Sequence, residues 1–306
     1  MKALLTMLFV ATTTAAHCIP KHVRAFVGLC DNKTQGIAKV GARIGDGDNA
    51  NENLYWGCTE GLKSYFQASR KWQLVEHETN TGDLRILERL VFRHANGDAV
   101  LVAEAWRGAN LRECYEAFQQ AAVSGSDDFV AFIGHNVLMD TPIALPTSPA
   151  PRPTPVAVLC CKSERYFRAR LEGGGVKPVL LTTQNMYPGS FLLHDALECW
   201  LTGGGVEAIR RASGAAYSSN QHISQSAALG VFADLSKPNS HPPPPGTIPP
   251  EKAPGAWSML LPWLEAVLSG GAVGVAIIFG FVWSRSNRRK NQPNKSCEAT
   301  GDNVPN

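Results

Sequence analysis

His135 and Cys161 are the residues whose types and settings point most directly to chemistry. Each closes a short apolar run: FVAFIGH ends on His135, and PVAVLCCKS carries Cys160 and Cys161. A thiol with a pKa of about 8.5 is a modest nucleophile at neutral pH. An imidazole beside it takes or returns the proton, and thiolate attack on a peptide carbonyl gives an acyl-enzyme. Backbone N–H groups around Gly134 and Asn136, and at the cysteine itself, would stabilise the oxyanion. Cys161 is the better nucleophile, because side chains alternate along a strand and Cys160 would turn into a packed face. The plain alternative is structural: a hydrogen-bonded histidine closing a buried strand, and two small apolar-strand cysteines filling a core.

Positioning these residues requires a sheet. Ala25–Leu29, Trp72–Val75, Ala99–Ala103, Phe129–Ile133, Pro155–Cys160 and Lys177–Leu181 are short apolar runs that read as strands. Between them, Leu111, Cys114, Tyr115 and Phe118 recur at helical spacing, as do Leu192, Leu193, Ala196, Leu197 and Trp200. Glu164–Leu171 also reads as helix, and Ile209–Leu235 as helix in two pieces. Leu84–Phe92 has helical spacing, and Asn53 is placed to cap a helix over Leu54–Ser69. Apolar strands alternating with helices predict an α/β fold, a mainly parallel sheet covered by helices on both faces. In such sheets ligands meet residues just past the carboxyl ends of the strands. Those positions are Asp31, Gly134–Asn136, Cys160–Lys162 and Thr182–Asn185, so Asp31 and Thr183 join the candidate cleft. For Asp31 the plainer role is to cap its own loop. Tyr55, Trp56 and Trp72 read as core packing.

The order of a strand ending in Gly-His and a next strand ending in Cys resembles the caspase-haemoglobinase group of cysteine peptidases, which includes caspases, metacaspases and gingipains. The resemblance runs in element order over residues 25–235 and rests on FVAFIGH and PVAVLCCKS. It implies a caspase-like fold, a His135/Cys161 dyad and a peptide or protein substrate. The group also contains inactive members, which would serve as binding or scaffold domains. Asn136 stands where the group has Gly after the histidine. Leu159 stands where metacaspases carry Asp and caspases Gln, so the acid that favours basic P1 residues is missing. Between His135 and Cys161 lies LMDTPIALPTSPAPRPTP, a proline-rich loop that reads as a lid or processing loop. A flavodoxin-like small-ligand binder is disfavoured, because the loop after the first strand carries acidic GDGD in place of a phosphate cradle.

No cofactor or metal is expected. GARIGDGDNANEN is acidic and glycine-rich but lacks the EF-hand spacing and terminal Glu, and the cysteines fit no paired CxxC zinc pattern. The eight cysteines are Cys18, Cys30, Cys58, Cys114, Cys160, Cys161, Cys199 and Cys297. Several sit in apolar contexts, which argues against a disulfide-stapled fold.

The ends of the chain predict its location. Lys2, the apolar run from Ala3 to Ala11 and small residues to Ala16 have the grammar of a secretory signal over residues 1–16. A domain over 17–236 follows, then a stalk over 237–256 containing HPPPPG and IPPEKAPG. Residues 257–283 read as a transmembrane helix with flanks. Ala266–Trp283 is uncharged, and Trp257, Trp263 and Trp283 bracket the apolar stretch. Gly270 and Gly274 form a GxxxG, a homodimer contact for membrane helices. The tail over 284–306 carries Arg285, Arg288, Arg289, Lys290 and Lys295 against Glu298 and Asp302. Positive charge inside orients the protein single-pass, with the bulk of the chain on the exported, periplasmic or extracellular side and the C-terminus cytoplasmic. The tail also holds the whole net charge of +3, leaving 29 − 5 = 24 basic and 26 − 2 = 24 acidic residues before it. A charge-balanced domain excludes nucleic acid as its partner; the lipid bilayer is the expected one.

Overall fold

A computed structural model describes residues 19–144 and 150–239 of the 306. The expected signal segment, anchor and tail lie outside the described residues, as does the expected stalk beyond residue 239. Among the described residues no helix is long and apolar enough to cross a membrane.

Seven strands form one sheet: β1 (Lys21–Gly28), β2 (Trp72–Glu78), β3 (Ile86–His94), β4 (Ala99–Trp106), β5 (Phe129–Ile133), β6 (Pro155–Leu159) and β7 (Lys177–Leu180). Their order is β2-β3-β4-β1-β5-β6-β7. From β4 through β7 all neighbours are parallel, whereas β2 and β3 add an antiparallel extension at the β4 edge. The sheet is thus mixed but mostly parallel. All five residues of β5 are buried, as a central strand covered on both faces must be. By contrast β2 buries Trp72 alone and ends in Val-Glu-His-Glu, and such charges discourage edge-to-edge pairing.

Side-chain alternation splits the core into two layers. Phe26, Phe132, Val158 and Cys160 face α2 (Leu111–Ser124) and α3 (Ser163–Gly173), packing with Tyr115, Phe118 and Phe167. Val27, Ile133 and Leu159 face the opposite way, toward α1 (Leu62–Ala68), α4 (Phe191–Leu201), α5 (Val206–Gln221) and the short α6 (Gln225–Leu229). An α/β fold with helices on both faces follows from this division.

Two local expectations are corrected. Leu84–Phe92, whose spacing suits a helix, is instead a turn at Leu84–Arg85 that leads into the strand β3. Ile86, Glu88, Leu90 and Phe92 are buried at every second position. The Asn96-Gly97 turn, with Gly97 at φ +73°, lets this segment fold back on β4. Apolar residues at 86, 87, 90, 91 and 92 satisfy both periods, and pairing with β4 decides between them. Asn53 caps no helix: residues 53–61 form turns, and α1 begins only at Leu62. The fully buried Asn53 carboxamide instead staples the end of β1. Its Oδ1 accepts from Cys30 N at 3.0 Å and Tyr55 N at 3.2 Å, and its Nδ2 donates to Cys30 O at 2.8 Å and Asp46 O at 3.0 Å.

Candidate functional site

The sheet register places His135 beside Cys161. Ile133 pairs with Leu159 at the ends of the parallel β5–β6 ladder, and each candidate lies two residues beyond its strand's end, in the loop that follows. The Gly134 N–H continues the ladder to Leu159 O at 3.3 Å, and Asn136 Nδ2 donates to Cys161 O at 2.7 Å. The buried Asn136 therefore clamps the histidine loop to the cysteine turn. Both loops lie at the carboxyl edge; the histidine loop borders the β1–β5 gap, where strand order reverses between β4 on one side and β5 on the other, and the cysteine loop lies one strand further. Open α/β sheets bind ligands at such a switch point.

A short 3-10 turn over Val137–Met139 follows Asn136, whose Oδ1 caps it by accepting from Leu138 N at 3.1 Å. The turn brings Asp140 back to His135, and imidazole Nε2 lies 2.6 Å from Asp140 Oδ2. His135 is only 8% exposed. Cys161 is half-buried and its Sγ–H donates to Met186 O at 3.7 Å. The hydrogen bonds of the two groups thus go to Asp140 and Met186, and neither goes to the other.

The cysteine turn has a strand–turn–helix shape. Lys162 takes the left-handed region at φ 55° and ψ 35°, a conformation non-glycine residues adopt at some cost, and α3 starts at Ser163. Segment 182–184 holds this shape. Thr182 N donates to Ser163 Oγ at 2.8 Å, Thr182 Oγ1 donates to Cys160 O, and Lys162 N donates to Gln184 O at 3.0 Å. Thr183 is exposed, and its hydroxyl donates to Gly230 O at 2.7 Å, tying the carboxyl end of β7 to the chain beyond α6. The buried Asp31 accepts from Lys33 N at 2.9 Å and Thr34 Oγ1 at 2.5 Å, so its carboxylate closes its own loop. A side chain on Gly47 or Gly108 would meet Asp31 Cβ at 2.7 or 2.4 Å, which keeps that loop pressed against the end of β4.

Cys160 sits in the α2–α3 core layer, fully buried, and burial pushes its thiol well above the ordinary range. Burial likewise pushes Cys114 well up and Cys30 up to about 12, the latter opposed by the Tyr55 hydroxyl and reinforced by Asp31 and Cys58. Tyr55 is raised chiefly by burial, then by the charges that Cys30, Cys161 and Cys160 would carry. Tyr217 is raised by burial, opposed by the Tyr187 N–H and reinforced by Cys161. Sequence reasoning missed Asp140. An acid five residues past a histidine belongs to no period, and only the turn at 137–139 joins them.

These buried thiols predict a pH dependence. A pKa raised in the folded state gives stability that is complete below the unfolded value near 9 and is lost as pH rises through the folded one. Each such thiol is expected to add about 1.4 kcal/mol per pH unit to the loss above about pH 9. Urea midpoints measured from pH 8 to pH 10.5 check this, and Cys114→Ala should flatten the alkaline slope by one thiol's share.

Other polar features read as structural. Ser69 Oγ lies 2.8 Å from His194 Nε2, and His194 Nδ1 lies 2.8 Å from Asp195 Oδ1. Ser69 also accepts from Lys71 N at 3.0 Å, so this chain ties the C-cap of α1 to α4. A shallow cavity of about 410 Å³ beside Val176, Lys177 and Pro178 lies at the opposite, amino-terminal end of β7. Among the described residues no group of three His, Cys, Asp or Glu side chains is placed to hold a metal ion.

The described residues form an α/β fold in which the loops carrying His135 and Cys161 follow adjacent parallel strands at the carboxyl edge of the sheet. No protein family, curated protein or solved structure matches the chain.

Proposed function

We propose that the domain is a caspase-like cysteine hydrolase acting on peptides or proteins, with Cys161 as nucleophile and His135 as general base and acid. One observation supports the reading: the Ile133–Leu159 register, with the Asn136 clamp on Cys161 O, joins the loops that carry the two residues at the ends of adjacent parallel strands. Paired parallel strands lie about 4.8 Å apart, within reach of proton transfer after small side-chain rotation. Cys161 closes the strand-to-helix turn where an exposed nucleophile belongs, while Cys160 is committed to the core. The five parallel strands in the order β4-β1-β5-β6-β7 suit the element order on which the caspase-like resemblance rests. We place this domain outside the cytosol, held at a bilayer by the helix at 257–283 and paired with a second copy through Gly270 and Gly274.

An electrophilic activity probe for cysteine peptidases tests the assignment on the full chain. Wild type and Cys160→Ala are expected to label, and Cys161→Ala and His135→Ala to label at least about tenfold less. Equal labelling of wild type and Cys161→Ala removes Cys161 as the nucleophile. A second reading is a non-catalytic scaffold of the same fold. The hydrogen bonds of His135 to Asp140 and of Cys161 to Met186 favour it, since each group already has a partner. That reading expects no labelling at either cysteine.

A further inference from the structure

We infer that Asp140 is a positioning residue for His135, so that the site works as a Cys161–His135–Asp140 relay; this rests on the hydrolase reading above. The pairing is close and sheltered on one side: Nε2 to Oδ2 is 2.6 Å, the His135 side chain is 7% exposed and that of Asp140 is 40% exposed. An ionised carboxylate only accepts hydrogen bonds, so Nε2 carries the hydrogen and donates it. In the neutral ring Nδ1 is then bare, and it is the nitrogen left to take a proton from Cys161.

The local chain builds this pairing from both sides. Met139 N donates to Asn136 O at 3.0 Å, Asp140 N to Val137 O at 3.1 Å and Thr141 N to Val137 O at 2.9 Å, while the Val137 side chain is buried in the α2–α3 core layer. The turn is therefore anchored, and Asp140 returns to His135 as a fixed consequence. On the far side, the loop after β1 presses on the same carboxylate. A Cβ built on Gly36 would come within 2.9 Å of Asp140 Oδ1. Glycine leaves that space to the acid.

In the reaction, the Cys161 sulfur forms a bond to the substrate carbonyl carbon as its proton passes to His135 Nδ1, and the carbonyl π pair moves to oxygen. The imidazolium so formed is stabilised by Asp140, which keeps its charge and takes no proton. Collapse of the intermediate breaks the C–N bond, and Nδ1 returns the proton to the departing amine. Water then attacks the thioester, passing its proton through the same nitrogen back to sulfur.

The test combines a tautomer readout with a reactivity readout on the full-length chain. In 15N-histidine spectra, wild-type His135 is expected as the Nε2–H tautomer, and Asp140→Asn to lose that single state. The alkylation rate of Cys161 by iodoacetamide is expected to fall about 10- to 100-fold in Asp140→Asn, with partial rescue in Asp140→Glu. Gly36→Ala should act in the same direction but less, because it displaces the carboxylate without changing its charge. Thermal midpoints confirm that each variant is folded. An unchanged tautomer and rate in Asp140→Asn overturns the role given to Asp140. A changed tautomer with unchanged Cys161 reactivity leaves the His135–Asp140 pairing in place and overturns the hydrolase reading instead.

Discussion

Asn53→Ala is expected to destabilise the domain by about 3 kcal/mol or more, with the urea midpoint as the measurement. The carboxamide is fully buried and uses both its oxygen and its nitrogen, each twice. Truncation leaves the Cys30 N–H, the Cys30 carbonyl and the Asp46 carbonyl without these partners, and each buried orphan costs about 1–3 kcal/mol. Alanine also leaves a void beside Trp56 and Leu54, both buried. Asn53→Asp is the informative companion. It keeps the acceptor but loses both donations to carbonyls and buries a charge, so it should be at least as harmful as alanine. A loss below about 1 kcal/mol for either variant would show that the staple is dispensable. Because Asn53 grips the residue preceding Asp31, the site should loosen with it. Even a mild Asn53 variant is expected to speed alkylation of Cys30, whose thiol is otherwise held neutral by burial.

Glu88→Ala is expected to cost about 3 kcal/mol by the same measurement. Glu88 lies buried on β3 and accepts from two donors, Trp56 Nε1 at 2.9 Å and Lys63 Nζ at 3.0 Å, with His77 Nε2 3.6 Å away. Removing the carboxylate leaves a fully buried indole N–H unpaired and strips the Lys63 ammonium of its counter-charge in a mostly buried setting. Breaking one side of a buried pair costs more than the pair itself contributes, since the survivor stays desolvated. The double variant Glu88→Ala/Lys63→Met should therefore recover part of the loss. A strictly additive double variant would mean that Glu88 acts through Trp56 alone.

These residues mark the limit of one-dimensional reading. Phe129–Ile133 is legible as a buried strand because five consecutive apolar residues, too few for a helix, need cover on both faces. The same holds for the cores of β1, β4, β6 and β7, and for α2, α3 and α4, whose apolar stripes have a single period. Leu84–Phe92 was not decidable this way, since its apolar residues fit both a helix and a strand. Nor was Asn53: a residue that favours helix N-termini also suits any buried backbone in need of a donor and an acceptor.

At the site the division is similar. Strand alternation alone sends Cys160 and Cys161 to opposite faces, and element order alone brings the His and Cys strands into one series. The sequence by itself therefore determined an α/β chain with a histidine and a cysteine at strand ends, because periodicity and chain order are local properties. Only the tertiary structure decided that Asp140 returns to His135, and that Asp31 and Thr183 spend their side chains on loop backbone and neighbouring carbonyls. Those outcomes depend on which buried hydrogen-bonding groups must find one another once the sheet has closed, and that requirement is set by three-dimensional packing rather than by spacing along the chain.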